Sequence, residues 1–327
     1  MFISIILPNF NHSAFLNQRI NTILNQTYRD LELIILDDCS TDNSREVIEL
    51  YRGHEKVSHI VYNKVNSGSP FAQWKKGFEL AKFDWIWIAE SDDLCEPNFL
   101  EILVGQIHEG ISLVTCRTEK IDENGELLQP GYFLADNVKP GRWHSDFENE
   151  GIDEINLALK CRCTLPNASA VIFHKSLTKF VVDSLGFKAA GDWFFWINCL
   201  SKTKFRYIAQ PLCYHRFHAQ TTRGKKSVDQ EKNRMYEFLA CINLAHKKIV
   251  ESKKSNRIIL NQYSWVYFEL FERKIQLREI FQFKSIPLKF AYGYWKYVNK
   301  RTKRFKKIPQ KIKLKTIQYL KSSFSYK

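Results

Sequence analysis

The 327-residue sequence lacks several patterns that would assign it quickly to a class. No uncharged apolar run approaches the ~18 residues that a membrane-spanning helix needs. Neither G-x-G-x-x-G nor G-x-x-x-x-G-K-[ST] occurs, which removes the usual dinucleotide and P-loop sites. The eight cysteines include no C-x-x-C pair, and only Cys161 and Cys163 lie close together. That spacing favours the reduced thiols of a cytosolic protein over a zinc site or a disulfide framework.

Acidic residues are absent from the last part of the chain. The formal net charge is +14, yet no Asp or Glu follows Glu279, while 14 Lys and Arg do. The first 279 residues hold 35 residues of each sign, so the basic character belongs to a C-terminal tail. Met1 leads directly into an apolar run without the charged segment and cleavage site of a signal peptide, so we expect a cytoplasmic location.

Apolar runs alternate with helical patterns along the first two thirds of the chain. Strands are predicted at residues 2–7, 31–36, 57–62, 85–89, 111–116, 170–173 and 205–208. Continuous apolar strands separated by helices predict an α/β fold, with a mostly parallel sheet covered by helices on both faces. The stretch 118–150 loses periodicity and is predicted to be a loop. Beyond Ser227 the pattern is helical, which predicts a domain over 1–226 and a helical extension over 227–327.

Three carboxylates, Glu90, Asp92 and Asp93, follow the strand at 85–89 within four positions. Carboxylates this close repel one another unless a cation lies between them, so a divalent-metal site is one interpretation and a solvated acidic turn is the other. Pro8-Asn9-Phe10-Asn11 and Asp37-Asp38 also follow predicted strands. Because ligands bind at the carboxyl ends of parallel strands, we expect these groups to converge on one site.

The ordered motifs Ile-Leu-Pro-Asn-Phe-Asn, Leu-Asp-Asp-Cys-Ser-Thr-Asp, Asn-Ser-Gly-Ser-Pro, Trp-Ile-Ala-Glu-Ser-Asp-Asp, Gly-Asp-Trp and Tyr-His-Arg-Phe-His resemble those of family 2 glycosyltransferases with the GT-A fold. The resemblance covers residues 2 to 222. It implies inverting transfer of a sugar from a nucleotide diphosphate, such as a UDP-sugar, to a hydroxyl of a glycan or lipid-linked acceptor. It also implies Mg²⁺ or Mn²⁺ and a role in bacterial surface polysaccharide or lipopolysaccharide synthesis.

The resemblance assigns roles residue by residue. Asp192 would be the catalytic base, and Asp93 and His218 would bind the metal. The nucleotide-sugar site would comprise Pro8, Asn9, Asn11, Asp38, Gly68, Gln73, Lys75, Glu90, Ser91 and Asp92. Gly191 stands where many relatives have Glu, so any support from that acid is lost.

Each assignment has a structural alternative. Asp38 could cap the following turn together with Asp37, and Asp192 could cap its own helix. Lys75 could be a solvated helix residue, and His218 a structural or surface histidine. An inactive scaffold that binds sugar nucleotides is the alternative to an enzyme.

The basic tail over residues 280–327 is a separate question. A basic amphipathic helix with tryptophan suggests an anionic membrane surface, which would place the protein peripherally at the inner face of the cell membrane. The alternative is a solvated tail that wraps the core. A nucleic-acid-binding protein is a further alternative that only the charge supports, and because no recognition motif is present we expect no nucleic-acid partner.

Overall fold

The computed structural model describes residues 1–128, 139–165, 167–218, 227–253, 260–283 and 286–302. Nine strands in this part of the chain form one sheet in the order β3-β2-β1-β4-β8-β6-β9-β5, with β7 added beside β9. Their bounds are β1 (Ile3–Asn9), β2 (Leu31–Asp37), β3 (Val57–Tyr62), β4 (Trp85–Ile88), β5 (Leu94–Cys95), β6 (Ile111–Ile121), β7 (Phe147–Glu150), β8 (Val171–His174) and β9 (Lys204–Arg216).

Strands β1 to β4 are mutually parallel, with Asn9 of β1 in register with Asp37 of β2. Strand β8 runs antiparallel between β4 and β6, and β6 pairs in parallel with β9. The carboxyl ends of β1, β2 and β4 therefore meet at one edge of the sheet, as the sequence predicted. The α/β fold with a mostly parallel sheet is confirmed.

Ten α-helices surround the sheet in the described ranges. They are α1 (Ser13–Leu24), α2 (Ser44–Glu49), α3 (Pro70–Leu80), α4 (Phe99–Val104), α5 (Gly151–Glu154), α6 (Gly191–Leu200), α7 (Val228–Glu251), α8 (Ser264–Glu272), α9 (Leu277–Ile280) and α10 (Leu288–Thr302). Alternation along β1 divides the core, since Ile3, Ile5 and Leu7 face α1 and α4 while Ile6 faces α3 and α6. Each face of the sheet thus has its own apolar layer.

The stretch 118–150 is more ordered than the sequence indicated. Strand β6 continues to Ile121, and Phe147–Glu150 forms β7, an antiparallel partner of β9. The loop prediction was wrong for these residues because both segments consist mostly of polar side chains, so no apolar run marks them as strands. Residues 129–138 of the stretch lie outside the described residues.

The helical extension packs on the domain face that α6 covers. Helix α7 begins with a capping box between Ser227 and Gln230 and buries Met235, Leu239 and Ile242 in the same core as α6. A buried hydrogen bond of 2.8 Å joins His246 to Tyr263. One hydrophobic core therefore joins the extension to the sheet.

Helix α10 shows what part of the basic tail does. Phe290, Ala291 and Tyr294 are buried against the rest of the extension, and the Tyr294 hydroxyl donates a 2.6 Å hydrogen bond to the carbonyl of Ile275. This agrees with the tail-wrapping alternative for residues 288–302. Across the described residues, no helix combines the length and the apolar character needed to cross a membrane. Lys303, Arg304 and the rest of the tail lie outside the described residues.

Candidate active site

The ends of β1 and β2 are tied together by side chains. Asn9 Nδ2 donates to Asp37 Oδ1 at 2.8 Å and to Ser40 Oγ at 3.2 Å. Asp37 also accepts from the backbone nitrogen and hydroxyl of Ser40, at 3.0 and 2.6 Å. Asp37 thus holds the turn after β2, which is the capping role that the sequence left open for it.

Asn11 organises the opposite side of this turn. Its backbone has a φ of 57°, in the left-handed region that asparagine tolerates better than most residues. The side-chain oxygen of Asn11 accepts from the Thr41 backbone nitrogen at 2.7 Å, and the backbone nitrogen of Asn11 donates to Ser40 Oγ at 2.9 Å. Pro8 is buried within β1, in register with Leu36. The loops after β1 and β2 therefore form one cross-linked rim.

Asp38 is buried beneath this rim and is the centre of a hydrogen-bond network. Its Oδ1 accepts from Asn63 Nδ2 at 2.6 Å, Gln73 Nε2 at 2.8 Å and the Ser67 nitrogen at 2.9 Å. Within the described ranges, its Oδ2 accepts only from Ser67 Oγ, at 2.7 Å. A carboxylate offers about four lone-pair sites, two on each oxygen, so Oδ2 retains capacity for a further donor such as a base N–H.

Gly68 and Lys75 differ in how well they fit their predicted roles. Gly68 has a φ of +68°, and the position that a Cβ would occupy lies no closer than 4.0 Å to a neighbouring atom, Asn66 Oδ1. A ligand could therefore approach the backbone there. Lys75 instead forms an i,i+4 ion pair with Glu79 on the exposed face of α3. That contact is the solvated-helix alternative for Lys75.

Glu90 is held at the end of β4 by α3. Trp74 Nε1 donates to Glu90 Oε1 at 3.0 Å. Burial, and secondarily the Asp92 and Asp93 carboxylates, raise the pKa of Glu90 to about 8. A cation bound beside these acids would offset that repulsion.

Asp93 is placed differently from the prediction. It is buried, and its oxygens accept from Ser169 Oγ at 2.6 Å and from the Arg216 backbone nitrogen at 3.1 Å. Ser169 Oγ in turn accepts from the Glu90 backbone nitrogen at 3.0 Å. Asp93 therefore ties β4 to the segment before β8 and to β9, and the structure does not bring it into the metal-ligand group with His218.

His12, Asp92 and His218 form that group instead, with one potential ligand atom from each lying within 4.8 Å of the others. His218 Nε2 is 3.1 Å from Asp92 Oδ2, and His12 Nδ1 is 2.8 Å from Ser91 Oγ. Burial raises the pKa of Asp92, but the His218 hydrogen bond and the charges of His12, His215 and His218 more than offset this and lower the net pKa. His12 was missed in the sequence, although it follows directly after the Asn11 motif.

Imidazole nitrogen and carboxylate oxygen are both ligands for divalent transition ions. Ligands at about 2 Å from one ion lie about 3 to 4 Å apart, so the three atoms, now within 4.8 Å of one another, would have to move closer together around a cation. The chemistry of these three residues therefore fits a divalent metal ion.

Arg216, which the sequence did not single out, fastens this edge of the sheet. Its Nε donates to the Asp92 carbonyl at 2.8 Å, and its Nη1 donates to the carbonyls of Asp122 and Glu123 at 3.1 and 2.9 Å. Its Nη2 donates to Gln18 Oε1 at 2.9 Å. Desolvation lowers the pKa of Arg216, while the nearby acids act in the opposite direction.

A second buried guanidinium, Arg19, lies behind the acids. It is fully buried, its Cζ is 5.0 Å from the Trp87 ring centroid, and its three nitrogens have no hydrogen-bond partner in the described part of the chain. Its charge lowers the pKa values of Glu90 and Asp93, against larger effects of burial that raise them. Arg19 therefore supplies a permanent positive charge beside the strand-end carboxylates.

Asp192 is the second residue of α6, and its Oδ1 accepts from the Trp193 nitrogen at 2.7 Å. A Cβ at Gly191 would lie 2.4 Å from the Phe71 ring and 2.8 Å from Phe187 Cβ. The space next to Asp192 is thus filled by α3, which explains why a side chain such as Glu does not stand at 191. The Trp74 ring packs against Phe71, with 5.0 Å between the ring centroids, and the Trp74 side chain also donates a hydrogen bond to Glu90.

Comparison with known proteins places these observations in a family. The sequence model described as glycosyl transferase family 2 matches residues 4–164. Glycosyltransferase GlyG of Streptococcus pneumoniae is 33% identical over 107 residues, which cover 33% of this chain and 35% of GlyG. Poly(ribitol-phosphate) beta-N-acetylglucosaminyltransferase TarP of Staphylococcus aureus is 31% identical over 140 residues, covering 42% of each chain. The matches thus span well under half the length of these relatives.

Solved structures extend the likeness to nearly the whole chain. Residues 1–349 of S. aureus TarS in complex with UDP-GlcNAc superpose with a TM-score of 0.66 at 15% identity, covering 94% of both chains. At that identity the likeness concerns the fold, which includes helices after the sheet domain. Residues 4–164 thus match glycosyltransferase family 2, and the sheet domain has the GT-A fold.

Proposed function

We propose that this protein is an inverting glycosyltransferase that moves a sugar from a UDP-linked donor, with UDP-GlcNAc as the first candidate, to a hydroxyl of a cell-surface glycan. The observation that carries the proposal is the His12, Asp92 and His218 group at the same sheet edge as the Asn9, Asn11 and Asp38 rim. A nucleotide diphosphate would need both: a metal ion to bind its phosphates, and a hydrogen-bonding group such as Asp38 to bind its base. The TarS complexes with UDP and UDP-GlcNAc support the choice of donor.

His12, Asp92 and His218 would hold a divalent cation, with Mn²⁺ preferred over Mg²⁺ on the chemistry of the ligands. When bound, the cation would stabilise the negative charge that develops on the leaving diphosphate. Asp93 would keep its structural role, since Ser169 and Arg216 already occupy its oxygens. This revises the ligand set predicted from the sequence.

The rim after β1 and β2 would bind the nucleotide. The free lone pair on Asp38 Oδ2 would accept the imino hydrogen of the base, and Gln73 would keep the carboxylate oriented. Asn9 and Asn11 would shape the pocket wall, and Gly68 would allow the donor to approach the backbone. Ser91, Asp92 and Glu90 would lie next to the ribose and the sugar.

Asp192 would act as the catalytic base. Displacement at the anomeric carbon needs removal of the acceptor hydroxyl's proton as the new bond forms, and a carboxylate within hydrogen-bond reach can accept it. The location of Asp192 in the first turn of α6, which α3 connects to Glu90, is compatible with this role. Attack from the face opposite the leaving diphosphate would invert the anomeric configuration.

For the acceptor we propose a hydroxyl on a bacterial surface polymer, either free or lipid-linked. TarP is named for transfer to poly(ribitol-phosphate), a polyanion, and the present chain carries a net charge of +14. Basic residues after Glu279 would attract such a polymer or the anionic inner face of the cell membrane. Co-sedimentation of the full chain with anionic vesicles, with and without competing poly(ribitol-phosphate), separates these two partners.

A thermal-shift screen of UDP-, GDP- and dTDP-sugars with and without Mn²⁺ tests the proposal. A ligand at 100 times its Kd stabilises the native state by about 2.7 kcal/mol, so binding is directly visible. We expect UDP-GlcNAc with Mn²⁺ to give the largest shift. Asp192→Asn should retain that shift and lose most of its sugar transfer, whereas equal transfer by the variant would indicate another base. Shifts that are equal with and without Mn²⁺ would contradict the metal site.

A further inference from the structure

A carboxylate from the helical extension holds the segment that leads into α6. Glu237, in the middle of α7, accepts from three consecutive backbone nitrogens. Its Oε1 is 2.9 Å from the Lys188 nitrogen, and its Oε2 is 2.8 Å from the nitrogens of both Ala189 and Ala190. Three consecutive N–H groups directed at one anion form a concave backbone anion site, and here the chain fills that site itself.

These three residues directly precede Gly191 and Asp192. The bonds to a charged acceptor are roughly twice as strong as neutral ones, and a negative charge at a helix N-terminus is favoured by the helix dipole. Glu237 is only partly exposed, which further limits competition from water. The carboxylate therefore determines where the first turn of α6 begins.

Other contacts fix the same short segment from further directions. Cys241, one turn after Glu237 on α7, lies with its Sγ 3.4 Å from the Ala190 carbonyl oxygen. Ser184 Oγ donates to the Gly191 carbonyl at 3.0 Å, and the Phe71 ring leaves no room for a Cβ at Gly191. Burial foremost, and then the Asp192 and Glu237 carboxylates, raise the pKa of Cys241, as expected if both acids lie near this thiol.

We propose that Glu237 is a positioning residue for the reaction: through its three hydrogen bonds to residues 188–190, the helical extension sets the location of the Asp192 carboxylate. This inference rests on the proposed role of Asp192 as the base. It means that the extension is a working part of the catalytic site, although none of the sequence motifs lies in it. A displacement of about 1 Å in a reacting group can reduce a rate by about 100-fold.

The test compares Glu237→Gln with Glu251→Gln in the full chain. Gln keeps the size of the side chain but replaces one acceptor oxygen with an NH₂ that faces backbone N–H groups. Glu251 lies on the same helix, exposed, with a 3.9 Å surface ion pair to Lys247. We expect Glu237→Gln to lower kcat by about 10- to 100-fold with a donor Kd within about 2-fold of wild type. Glu251→Gln should change neither.

Hydrogen exchange at the amides of residues 188–190 supplies a readout that does not depend on activity. Faster exchange in Glu237→Gln at these amides, with α1 and α3 unchanged, is the expected result. Unchanged protection there would overturn the proposal, and so would faster exchange with a wild-type kcat. If the wild-type chain transfers no sugar, the proposed function fails, while the exchange result still reports on the Glu237 contacts.

A double variant separates positioning from general destabilisation. If Glu237 acts through Asp192, the Glu237→Gln change should cost no further activity in an Asp192→Asn background, because residues that act as a unit are not additive. An equal fold-loss in both backgrounds would overturn the proposal. This comparison needs residual sugar transfer by Asp192→Asn that is measurable above the enzyme-free blank. If that transfer is too slow to measure, the rate of donor hydrolysis is compared instead.

Discussion

The two sides of the candidate active site are built in different ways. On the donor side, Asn9 ends β1, Asp38 directly follows β2, and Asp92 lies four residues after the end of β4, so the carboxyl ends of parallel strands bring them to one edge of the sheet. On the base side, Asp192 is positioned by contacts from α3 and α7, whose residues Phe71 and Glu237 are far away in the sequence. The donor side thus follows from strand topology, whereas the base side depends on tertiary packing. Five substitutions test this contrast, from the largest expected effect to the smallest.

Arg216→Met should damage the donor side most severely. It would leave the carbonyls of Asp92, Asp122 and Glu123 without their donor and remove the charge beside the acids. We expect a loss of about 3 to 5 kcal/mol in the free energy of unfolding, measured by urea denaturation. Arg206→Met on the same strand is the control, because Arg206 is partly exposed and forms a 3.7 Å ion pair with Asp146 and a 3.2 Å hydrogen bond to Gln106. Its loss should cost under about 1 kcal/mol. Similar losses in both variants would contradict a special role for Arg216.

Asp92→Asn and Asp93→Asn distinguish a metal ligand from a structural acid. Asp92→Asn should weaken Mn²⁺-dependent donor binding by about 100-fold, or about 2.7 kcal/mol, with little loss of stability. Asp93→Asn should instead lower the melting temperature, because its amide would present a donor to the Arg216 nitrogen or to Ser169. Calorimetric titration and thermal melts of both variants check this. The reverse pattern would restore Asp93 as the metal ligand.

Gly191→Ala should disturb the base side without touching the donor side. The new Cβ would lie 2.4 Å from the Phe71 ring and 2.8 Å from Phe187 Cβ, so the start of α6 must shift. We expect a destabilisation of about 1 to 3 kcal/mol and a lower kcat with an unchanged donor Kd. A matched change at Gly186, where a Cβ meets nothing within 4 Å, should be nearly neutral. Wild-type stability and kcat in Gly191→Ala would argue against tight packing at this point.

Lys75→Gln should have the smallest effect. The ion pair of Lys75 with Glu79 is exposed, so its loss should change stability by under about 0.5 kcal/mol. Donor affinity should remain within about 2-fold of wild type in calorimetry. A fall of 10-fold or more would return Lys75 to the nucleotide-sugar site in which the family resemblance placed it.

The sequence predicted the sheet and the convergence of polar residues at one of its edges, because apolar strands and the polar residues that end them are local patterns. Strands β1 to β4 and the convergence of their ends follow from these patterns. These patterns could not tell Asp92 from Asp93, since the two are adjacent carboxylates and the sequence does not show which one meets Ser169. His12 could have been found from its position one residue after the Asn11 motif.

The remaining residues could not be read from local patterns. Arg216, Arg19 and Glu237 owe their roles to partners on other elements, and a charged residue in a helix or strand is usually a solvated one. The short polar strand β7 was likewise missed because its pairing with β9 defines it. The many basic residues of α10 drew attention away from its apolar face, where Phe290, Ala291 and Tyr294 are buried.

Pulsed electron paramagnetic resonance of Mn²⁺ bound with UDP-GlcNAc tests the central claim most directly, because it detects nitrogen nuclei bonded to the ion. The proposed site predicts ¹⁴N couplings from the imidazoles of His12 and His218 in the wild-type chain. It further predicts that each of His12→Ala and His218→Ala removes one of the two contributions. A Mn²⁺ signal that depends on the donor but shows no nitrogen coupling would contradict the site.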